Sequence, residues 1–140
     1  DYIFIDCPPA LSLLTVMAMT AANSVLVPLQ CEFFALEGLS QLIKTVDRVH
    51  KNLNPLLSID GIILTMFDKR NKLSTQVAMD VKKHLQEKVF ETMIPRNVRV
   101  SEAPSFGMPV IIYDRKSKGS QAYIKLADEI LKKNKSREAA

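Results

Sequence analysis

Short apolar runs alternate with amphipathic segments along most of this chain. The runs Tyr2–Ile5, Ser24–Leu29 and Ile59–Met66 are apolar along most of their length, which is typical of strands buried on both faces. A fourth run, Val89–Ile94, and a short fifth one, Val110–Tyr113, have the same character. We predict a β-strand at each of these five positions.

The segments between these runs show helical periodicity. In Leu36–Leu53 the apolar residues recur at spacings of three and four and form one stripe, and an Asn-Pro pair ends the segment. An earlier helix is predicted at Leu11–Ala22, with Ser12 as a candidate cap. Two later helices are predicted to start at Ser74, as a capping residue, and at Ser117.

Strands that alternate with helices and are continuously apolar predict an α/β fold, a mostly parallel β-sheet with helices on both faces. We assign residues 1–133 to one domain and expect the polar tail 134–140 to fray. Ligands bind beyond the carboxyl ends of the strands in such sheets. The candidate binding loops are therefore 6–11, 30–35, 67–73 and 96–109.

The composition is that of an ordinary globular protein, with 47% hydrophobic and 24% charged residues among 140. Its apolar stretches fall well short of the ~20 residues that a membrane span needs, so we predict no transmembrane segment. We expect a cytoplasmic protein without a membrane partner. Cys7 and Cys31 lack the spacing and the companion histidines of a metal site and are interpreted as reduced thiols. Because the chain opens on Asp1 and enters a strand at once, we interpret it as a piece of a longer protein.

Positive charge is concentrated in a few places. The net charge is +4 and the pI is about 9.1. The segment from Arg115 to Arg137 contains eight Lys or Arg residues and only two acidic residues. Shorter clusters lie at Lys69–Lys72 and at Arg96–Arg99. A basic helix is often only a solvated face, so charge alone permits an acidic partner without requiring one.

Asp6 is the first candidate for chemistry. It follows the apolar run Tyr2–Ile5, and an acid at the carboxyl end of a buried strand is costly unless its charge is used. Strands also end in Asp for turn-forming reasons, so the residue alone leaves both readings open. The stiff pair Pro8-Pro9 that follows favours a loop that senses a phosphate.

Several longer stretches resemble one family, the ParA/Soj partitioning ATPases, relatives of MinD. The match runs in order and at family spacing over nearly the whole chain. The matching stretches are DYIFIDCPP (1–9), VPLQCEFFALEGL (27–39), LTMFD (64–68), IPRNVRVSEAPS (94–105), and YD (113–114) with SKG (117–119).

The resemblance implies roles for the acid and its loop. Asp6 resembles the Walker B acid, which in this family acts on magnesium through water, and Pro8 and Pro9 resemble switch II. Gln30 and Glu32 match a segment that lies near the nucleotide and the partner subunit in ATP-bound dimers of relatives.

Positions that surround the adenine in relatives, largely through backbone contacts, match Thr65, Pro95 and Asn97. For Thr65 and Pro95 an ordinary strand end is an equally good interpretation of the residues alone.

The basic clusters gain a meaning from the same resemblance. Arg70 and Arg99 match arginines that this branch uses for sequence-independent binding of double-stranded DNA, where guanidinium groups contact phosphates without reading bases. Lys69 and Arg96 are assigned to the same surface. Lysines at 72, 116 and 118 would broaden it, although each lysine alone is better explained as a solvated charge.

One departure limits these roles. The 140 residues contain four glycines, none of them in a GxxxxGK[ST] pattern, so the phosphate-binding loop of the family is absent. We therefore expect that these residues alone neither bind ATP tightly nor hydrolyse it. We also expect them to expose an apolar sheet edge and to self-associate.

The resemblance implies a nucleoid-associated ATPase that uses ATP and Mg²⁺. ATP would drive formation of a sandwich homodimer, the dimer would coat DNA, and a ParB-like partner would stimulate hydrolysis. Two alternatives remain open: a truncated, non-enzymatic module that retains DNA or partner binding, and a MinD-like positioning ATPase. The polar tail from Lys132 onward argues against the latter.

Overall fold

The computed structural model describes residues 2–8 and 12–138, with side chains up to residue 136. Two 3₁₀ turns, Gln86–Lys88 and Ala103–Phe106, follow the third and fourth helices. The elements of the described chain are α1 (Leu13–Ala21), β1 (Ser24–Gln30), α2 (Ala35–Asn52), β2 (Ser58–Thr65), α3 (Lys72–Leu85), α4 (Val98–Glu102), α5 (Val110–Tyr113) and α6 (Lys118–Glu138).

The sheet is parallel. β1 pairs with β2 from Ser24 opposite Ser58 to Gln30 opposite Thr65, with one shift of register after Val25. On the other side of β2, residues 89–95 run parallel to it and join it through isolated bridges. Since the connections between these parallel segments pass through helices, the predicted α/β fold is confirmed.

The side chains of β2 pack against helices on both faces of the sheet. Ile62 and Leu64 are fully buried in a cluster that includes Val81 of α3. Ile63, between them, belongs to a cluster with Leu126 of α6. Burying each such aliphatic side chain contributes about 1.5–3 kcal/mol, so both faces stabilise the domain, and the prediction of helices on both faces is confirmed.

Helix α1 is attached to the end of α2. The side-chain amide of Asn54 donates to the carbonyl oxygens of Met19 at 3.1 Å and Ala22 at 2.8 Å. These bonds satisfy carbonyls that lack partners within α1. Met19 also packs into a buried cluster with residues that include Val46 and Leu57.

The predicted strand Tyr2–Ile5 is wrong for the described structure. The segment has no assigned strand, and its side chains are exposed, Ile3 at 93% and Phe4 at 72%. A strand requires a neighbour that accepts its backbone hydrogen bonds, and no described strand pairs with this segment. Burial would stabilise the apolar side chains of this run, but the described residues do not cover them. The Tyr2 hydroxyl does accept a hydrogen bond from the Asn134 side chain.

The predicted strand Val110–Tyr113 is also wrong, because these residues form the one-turn helix α5. Pro109 precedes the turn in an extended conformation, and its carbonyl accepts hydrogen bonds from the backbone N–H groups of Ile112 and Tyr113. A short apolar run has no periodicity that separates a strand from a helical turn.

The predicted strand Val89–Ile94 is extended and bonded to β2 without being a regular strand. The N–H groups of Phe90 and Ile94 donate to β2 carbonyls at 2.9 and 2.8 Å. Between them, the carboxylate of Glu129 on α6 accepts from the N–H groups of Glu91 at 2.7 Å and Thr92 at 3.0 Å. This side chain replaces part of the ladder, so the segment is fixed by a helix as well as by the sheet.

The predicted helix caps have mixed outcomes. Ser117 precedes α6 and accepts the N–H of Ser120 at 3.2 Å, as expected. Ser12 precedes α1 but makes no capping hydrogen bond. The prediction for Ser74 is wrong, because α3 begins earlier and Asn71 caps it by accepting the N–H of Leu73 at 2.9 Å.

Helix α6 continues to Glu138 and so includes part of the polar tail; its fraying stays a prediction. In the described part of the chain, no helix combines the length and the apolar character needed to cross a membrane.

A glycine in β2 lies against an aromatic ring. A Cβ atom at Gly61 would lie 2.3 Å from the Phe90 ring, whereas one at Gly38 in α2 would meet nothing within 4 Å. We expect Gly61→Ala to lower the free energy of unfolding of the full-length protein by about 1–3 kcal/mol, because the buried ring must shift. Chemical denaturation measures this, with Gly38→Ala as the control, expected to be neutral or stabilising. Equal stabilities of the two variants would contradict the packing described.

Candidate functional site

The loops at the carboxyl end of the sheet are joined by backbone hydrogen bonds. The N–H of Cys31 donates to the carbonyl of Thr65 at 3.1 Å, which connects the loop after β1 to the end of β2. On the other side of β2, Phe67 joins the loop after β2 to the extended segment and the residue that follows it. The N–H of Phe67 donates to the carbonyl of Ile94 at 3.1 Å, and the carbonyl of Phe67 accepts from the N–H of Arg96 at 2.9 Å. Three loops from separate parts of the sequence therefore meet at one edge.

An ion pair closes the same edge. Arg96 Nη2 lies 3.1 Å from Glu32 Oε1, across 64 residues of sequence, and both side chains are half-exposed. The edge thus brings together Glu32, Thr65 and Pro95, which the sequence assigns to nucleotide binding, with Arg96, which it assigns to DNA. The acid neutralises Arg96, so this arginine is less available to phosphates than its cluster suggests.

The chain turns sharply at the end of β2. Met66 has φ 54°, in the left-handed region that residues other than glycine seldom occupy. Such a conformation costs about 1–2 kcal/mol, and backbone strain of this kind concentrates at binding sites. Met66 lies between Thr65 and Phe67, and nothing in the sequence indicates its conformation.

Asn97 has a structural role in this region. Its side-chain oxygen accepts the N–H of Val100 at 3.3 Å and so caps α4. Gly119, at the start of α6, lies against both residues, because an added Cβ would be 2.4 Å from Val100 Cγ2 and 3.3 Å from Asn97 Cβ. This close packing sets the place of Asn97 beside Pro95 and Arg96.

Ser74 is a residue of the site that the sequence did not identify. Its hydroxyl is buried and donates to the carbonyl of Cys31 at 3.1 Å, across 43 residues. The bond ties α3 to the loop after β1. Cys31 itself is buried, and burial raises the pKa of its thiol.

Arg70 is bound to an acid in its own loop. Its Nε and Nη2 atoms donate to Asp68 Oδ1 at 3.1 Å and to Asp68 Oδ2 at 3.0 Å. The hydrogen bonds from Arg70 hold the pKa of the Asp68 carboxyl below its usual value. The Arg70 side chain remains 90% exposed, so solvent and any external anion can reach it.

Arg99 is also held by acids. Its Nη1 lies 2.9 Å from Glu102 Oε2, and its Nε lies 3.4 Å from Asp114 Oδ2. The Glu102 carboxylate raises the pKa of Arg99 and also accepts a hydrogen bond from the Tyr113 hydroxyl at 3.4 Å. The Tyr113-Asp114 pair of the family motif thus positions an arginine.

The lysines of the basic clusters have simpler surroundings. Lys69 and Lys72 are exposed in the loop after β2 and at the start of α3, and Lys116 and Lys118 are exposed around the start of α6. Their exposure is compatible both with a phosphate-binding surface and with solvated charges.

The Walker B candidate lies in the exposed segment 2–8. Asp6 and Pro8 are exposed, and Pro9 lies outside the described residues. Within the described ranges, no ion pair or hydrogen bond connects Asp6 to the edge that carries Glu32, Thr65 and Asn97. Among the described residues the predicted acid thus makes no direct polar contact with these positions, and its role stays a prediction.

Magnesium and ATP fit these residues only in part. In the described segments, no group of three His, Cys, Asp or Glu side chains is arranged to hold a metal ion, and the sequence contains no phosphate-binding loop. The described residues therefore do not form a complete magnesium site. They do supply one strained edge of backbone and polar side chains where parallel strands end.

Many apolar side chains in the first described residues, 2–8 and α1, are exposed. Beyond those of segment 2–8, they include Leu13, Leu14 and Met17 of α1. These residues belong to a helix and to a segment without a strand, so exposure of an apolar sheet edge, like self-association, stays a prediction.

Three comparisons connect this geometry to known proteins. Residues 1–59 match the AAA domain family. The chain is 62% identical over 138 residues to the chromosome partitioning protein ParA of Caulobacter vibrioides. The matched region covers 99% of this chain and 52% of that protein. It is 57% identical over 130 residues to the sporulation initiation inhibitor protein Soj of Bacillus subtilis. The matched region covers 93% of this chain and 51% of that protein.

A solved structure shares the fold. Cobyrinic acid a,c-diamide synthase from Mycobacterium smegmatis, with bound ADP and magnesium, superimposes with a TM-score of 0.73 at 37% identity, over 94% of this chain and 46% of that one. The chain spans about half the length of the curated relatives it matches. On the strength of identities that extend over nearly all of its residues, the chain belongs to the ParA/Soj family.

Proposed function

We propose that this chain is the carboxy-terminal part of a ParA-type ATPase that segregates chromosomal or plasmid DNA. The observation that carries the proposal is the shared edge at the carboxyl end of the sheet, where Glu32, Thr65 and Pro95 meet. In open α/β sheets this edge is where ligands bind. The identities to ParA and Soj, one of whose relatives is named a chromosome-partitioning ATPase, support ATP hydrolysis as the reaction proposed for that edge.

The nucleotide is proposed to lie with its adenine against Thr65, Pro95 and Asn97. Support comes from the backbone bonds that converge there, from the strained turn at Met66, and from the ADP and magnesium bound by a structural neighbour. In the complete protein Asp6 would act on magnesium through water, and the phosphate-binding loop would come from outside these 140 residues. These residues alone would then have no ATPase activity.

DNA is proposed to bind without sequence preference at Arg70 and Arg99, with Lys69 and Arg96 nearby. Exposed guanidinium groups suit phosphate contacts. Arg70, in the loop after β2, is almost fully exposed, and Arg99, in the short helix α4, is about half-exposed. Binding of ATP would create a sandwich dimer that presents two such surfaces, and a ParB-like partner would stimulate hydrolysis and release. Doubling the surface would increase DNA affinity by raising the local concentration of contacts.

Substituting the two arginines tests the DNA surface. In the full-length protein with ATP, we expect Arg70→Ala and Arg99→Ala each to weaken DNA binding roughly three- to tenfold at 0.1 M salt and to reduce the slope of log K against log salt by up to about 0.9, the full value for one phosphate contact. Titration of labelled duplexes of unrelated sequence at several salt concentrations measures both quantities.

The matched control is Arg48→Ala, an exposed arginine on α2 away from these loops, which should leave affinity and slope unchanged. DNA affinity that is unaltered in both Arg70→Ala and Arg99→Ala would refute the assignment of this surface.

Substituting the acid tests the nucleotide site. In the full-length protein we expect Asp6→Ala to reduce magnesium-dependent ATP hydrolysis by roughly 100-fold or more. Losses of this size follow when a group that stabilises the charge of the transferred phosphoryl group is removed. Asp128→Ala, which removes an exposed acid from α6, is the control and should retain activity. Phosphate release measures turnover, and full activity in Asp6→Ala would show that the acid has another role.

The non-enzymatic alternative makes the opposite prediction for the unsubstituted protein. Duplex binding that does not depend on ATP, in a full-length protein that releases no phosphate with or without DNA, would favour a module that retained DNA binding and lost turnover.

A further inference from the structure

Arg70 already has an anionic partner before DNA is present. Its Nε and Nη2 atoms both donate hydrogen bonds to the Asp68 carboxylate, at 3.1 and 3.0 Å. This is the two-point geometry in which arginine binds carboxylates and phosphates most strongly. A DNA phosphate that approached the same edge of the guanidinium would therefore compete with Asp68.

Asp68 is the fixed member of the pair. Its Oδ1 also accepts the backbone N–H of Arg70 at 3.0 Å, and its backbone carbonyl accepts the N–H of Asn71 at 3.0 Å. Its side chain is 23% exposed, against 90% for Arg70. The carboxylate is thus held by the turn, whereas the guanidinium is free to leave it.

We propose that Asp68 is a further functional residue of the DNA interface, which lowers the affinity for DNA by competing with phosphate for Arg70. This inference rests on the proposed DNA-binding function. When DNA binds, Arg70 exchanges the carboxylate for a phosphate, and the negative charge of Asp68 stays beside the backbone of the duplex. Both effects weaken binding and make it easier to reverse.

The exchange has a signature in the salt dependence. Binding to DNA is favoured by release of the counterions that phosphates hold, at about 0.9 ions for each phosphate that a cation neutralises. A guanidinium already neutralised by Asp68 contributes less than this. Removal of the Asp68 charge should therefore make the dependence on salt steeper as well as binding tighter.

The same arrangement occurs at the second candidate arginine. Arg99 is bound by Glu102 at 2.9 Å and approached by Asp114 at 3.4 Å. Arg70 and Arg99, the two main arginines of the proposed DNA surface, thus each have an acid that is close in sequence or in space. Competition is therefore a property of the surface, for which Asp68 offers the cleaner test because its backbone contacts survive replacement by Asn.

The experiment is a double-mutant cycle in the full-length protein with ATP, with Asp68→Asn, Arg70→Ala and the double variant titrated against one labelled duplex. Asn keeps the acceptor for the backbone N–H and removes the charge. We expect Asp68→Asn to bind roughly two- to fivefold more tightly, the range that an exposed ion pair is worth, with a salt slope steeper by up to about 0.9. We also expect Arg70→Ala to cost more in the Asp68→Asn background than in the unsubstituted protein.

Glu91→Gln is the matched control. It removes the same charge and breaks an exposed ion pair, with Lys82 at 3.1 Å, beside the middle of β2 rather than at its carboxyl end. It should leave DNA affinity unchanged. Thermal unfolding of each variant establishes that the fold is intact.

Three results would overturn the inference. Affinity that is unchanged or lower in Asp68→Asn would show that the acid does not compete. An equal gain from Asp68→Asn in the presence and absence of the Arg70 side chain, or an equal gain in Glu91→Gln, would show that only the overall charge matters. Failure of the proposed function is distinct, because Arg70→Ala and Arg99→Ala would then leave DNA affinity unaltered whatever Asp68→Asn does.

Discussion

Hydrogen bonding of β2 on both sides, as far as its carboxyl end, is the constraint on which the rest of the structure depends. β1 takes one side, and residues 89–95 take the other with help from Glu129 of α6. Because parallel strands present their carboxyl ends at one edge, this pairing alone brings together loops that are far apart in the sequence. The contacts of Cys31 with Thr65, and of Arg96 with Phe67, follow from it.

The edge so formed is polar, strained and only partly exposed, whereas the surface that carries Arg70 and Arg99 is open. In both places the charges are paired. Arg96 is bound to Glu32, Arg70 to Asp68, and Arg99 to acids on two elements. Exposed pairs of this kind contribute little to stability. Their consequence lies in availability: an anion that binds the same edge of a guanidinium has to displace a carboxylate, which would suit the proposed interface that binds and releases DNA.

The long elements were predictable because their periodicity extends over several turns or a full strand. Helix α2 was expected at Leu36–Leu53 and runs from Ala35 to Asn52, and β1 and β2 lie within one residue of their predicted ends. Short runs were not predictable. Val110–Tyr113 became a helical turn after Pro109, and Tyr2–Ile5 lacks the neighbouring strand that its apolar side chains require.

Ordered motifs nominated members of the candidate site, among them Thr65, Pro95 and Arg70, because motifs record which residue types a position accepts; their roles stay predictions. The contacts of the candidate residues were not predictable. The ion pair of Glu32 with Arg96 spans 64 residues and the bond of Ser74 to Cys31 spans 43, and no pattern in the sequence refers to such distances. The left-handed turn at Met66 was equally invisible, because methionine has no preference for it.

The sequence by itself therefore determined the α/β class, the main strands and helices, and the family, because these depend on local periodicity and on residue identities in order. Tertiary structure decided which acids neutralise which arginines, where the backbone is strained, and which apolar residues are covered. These properties depend on distances between segments that only folding brings together. Asp6 shows the division clearly: its place after an apolar run was legible in the sequence, whereas its exposure depends on how the described residues pack.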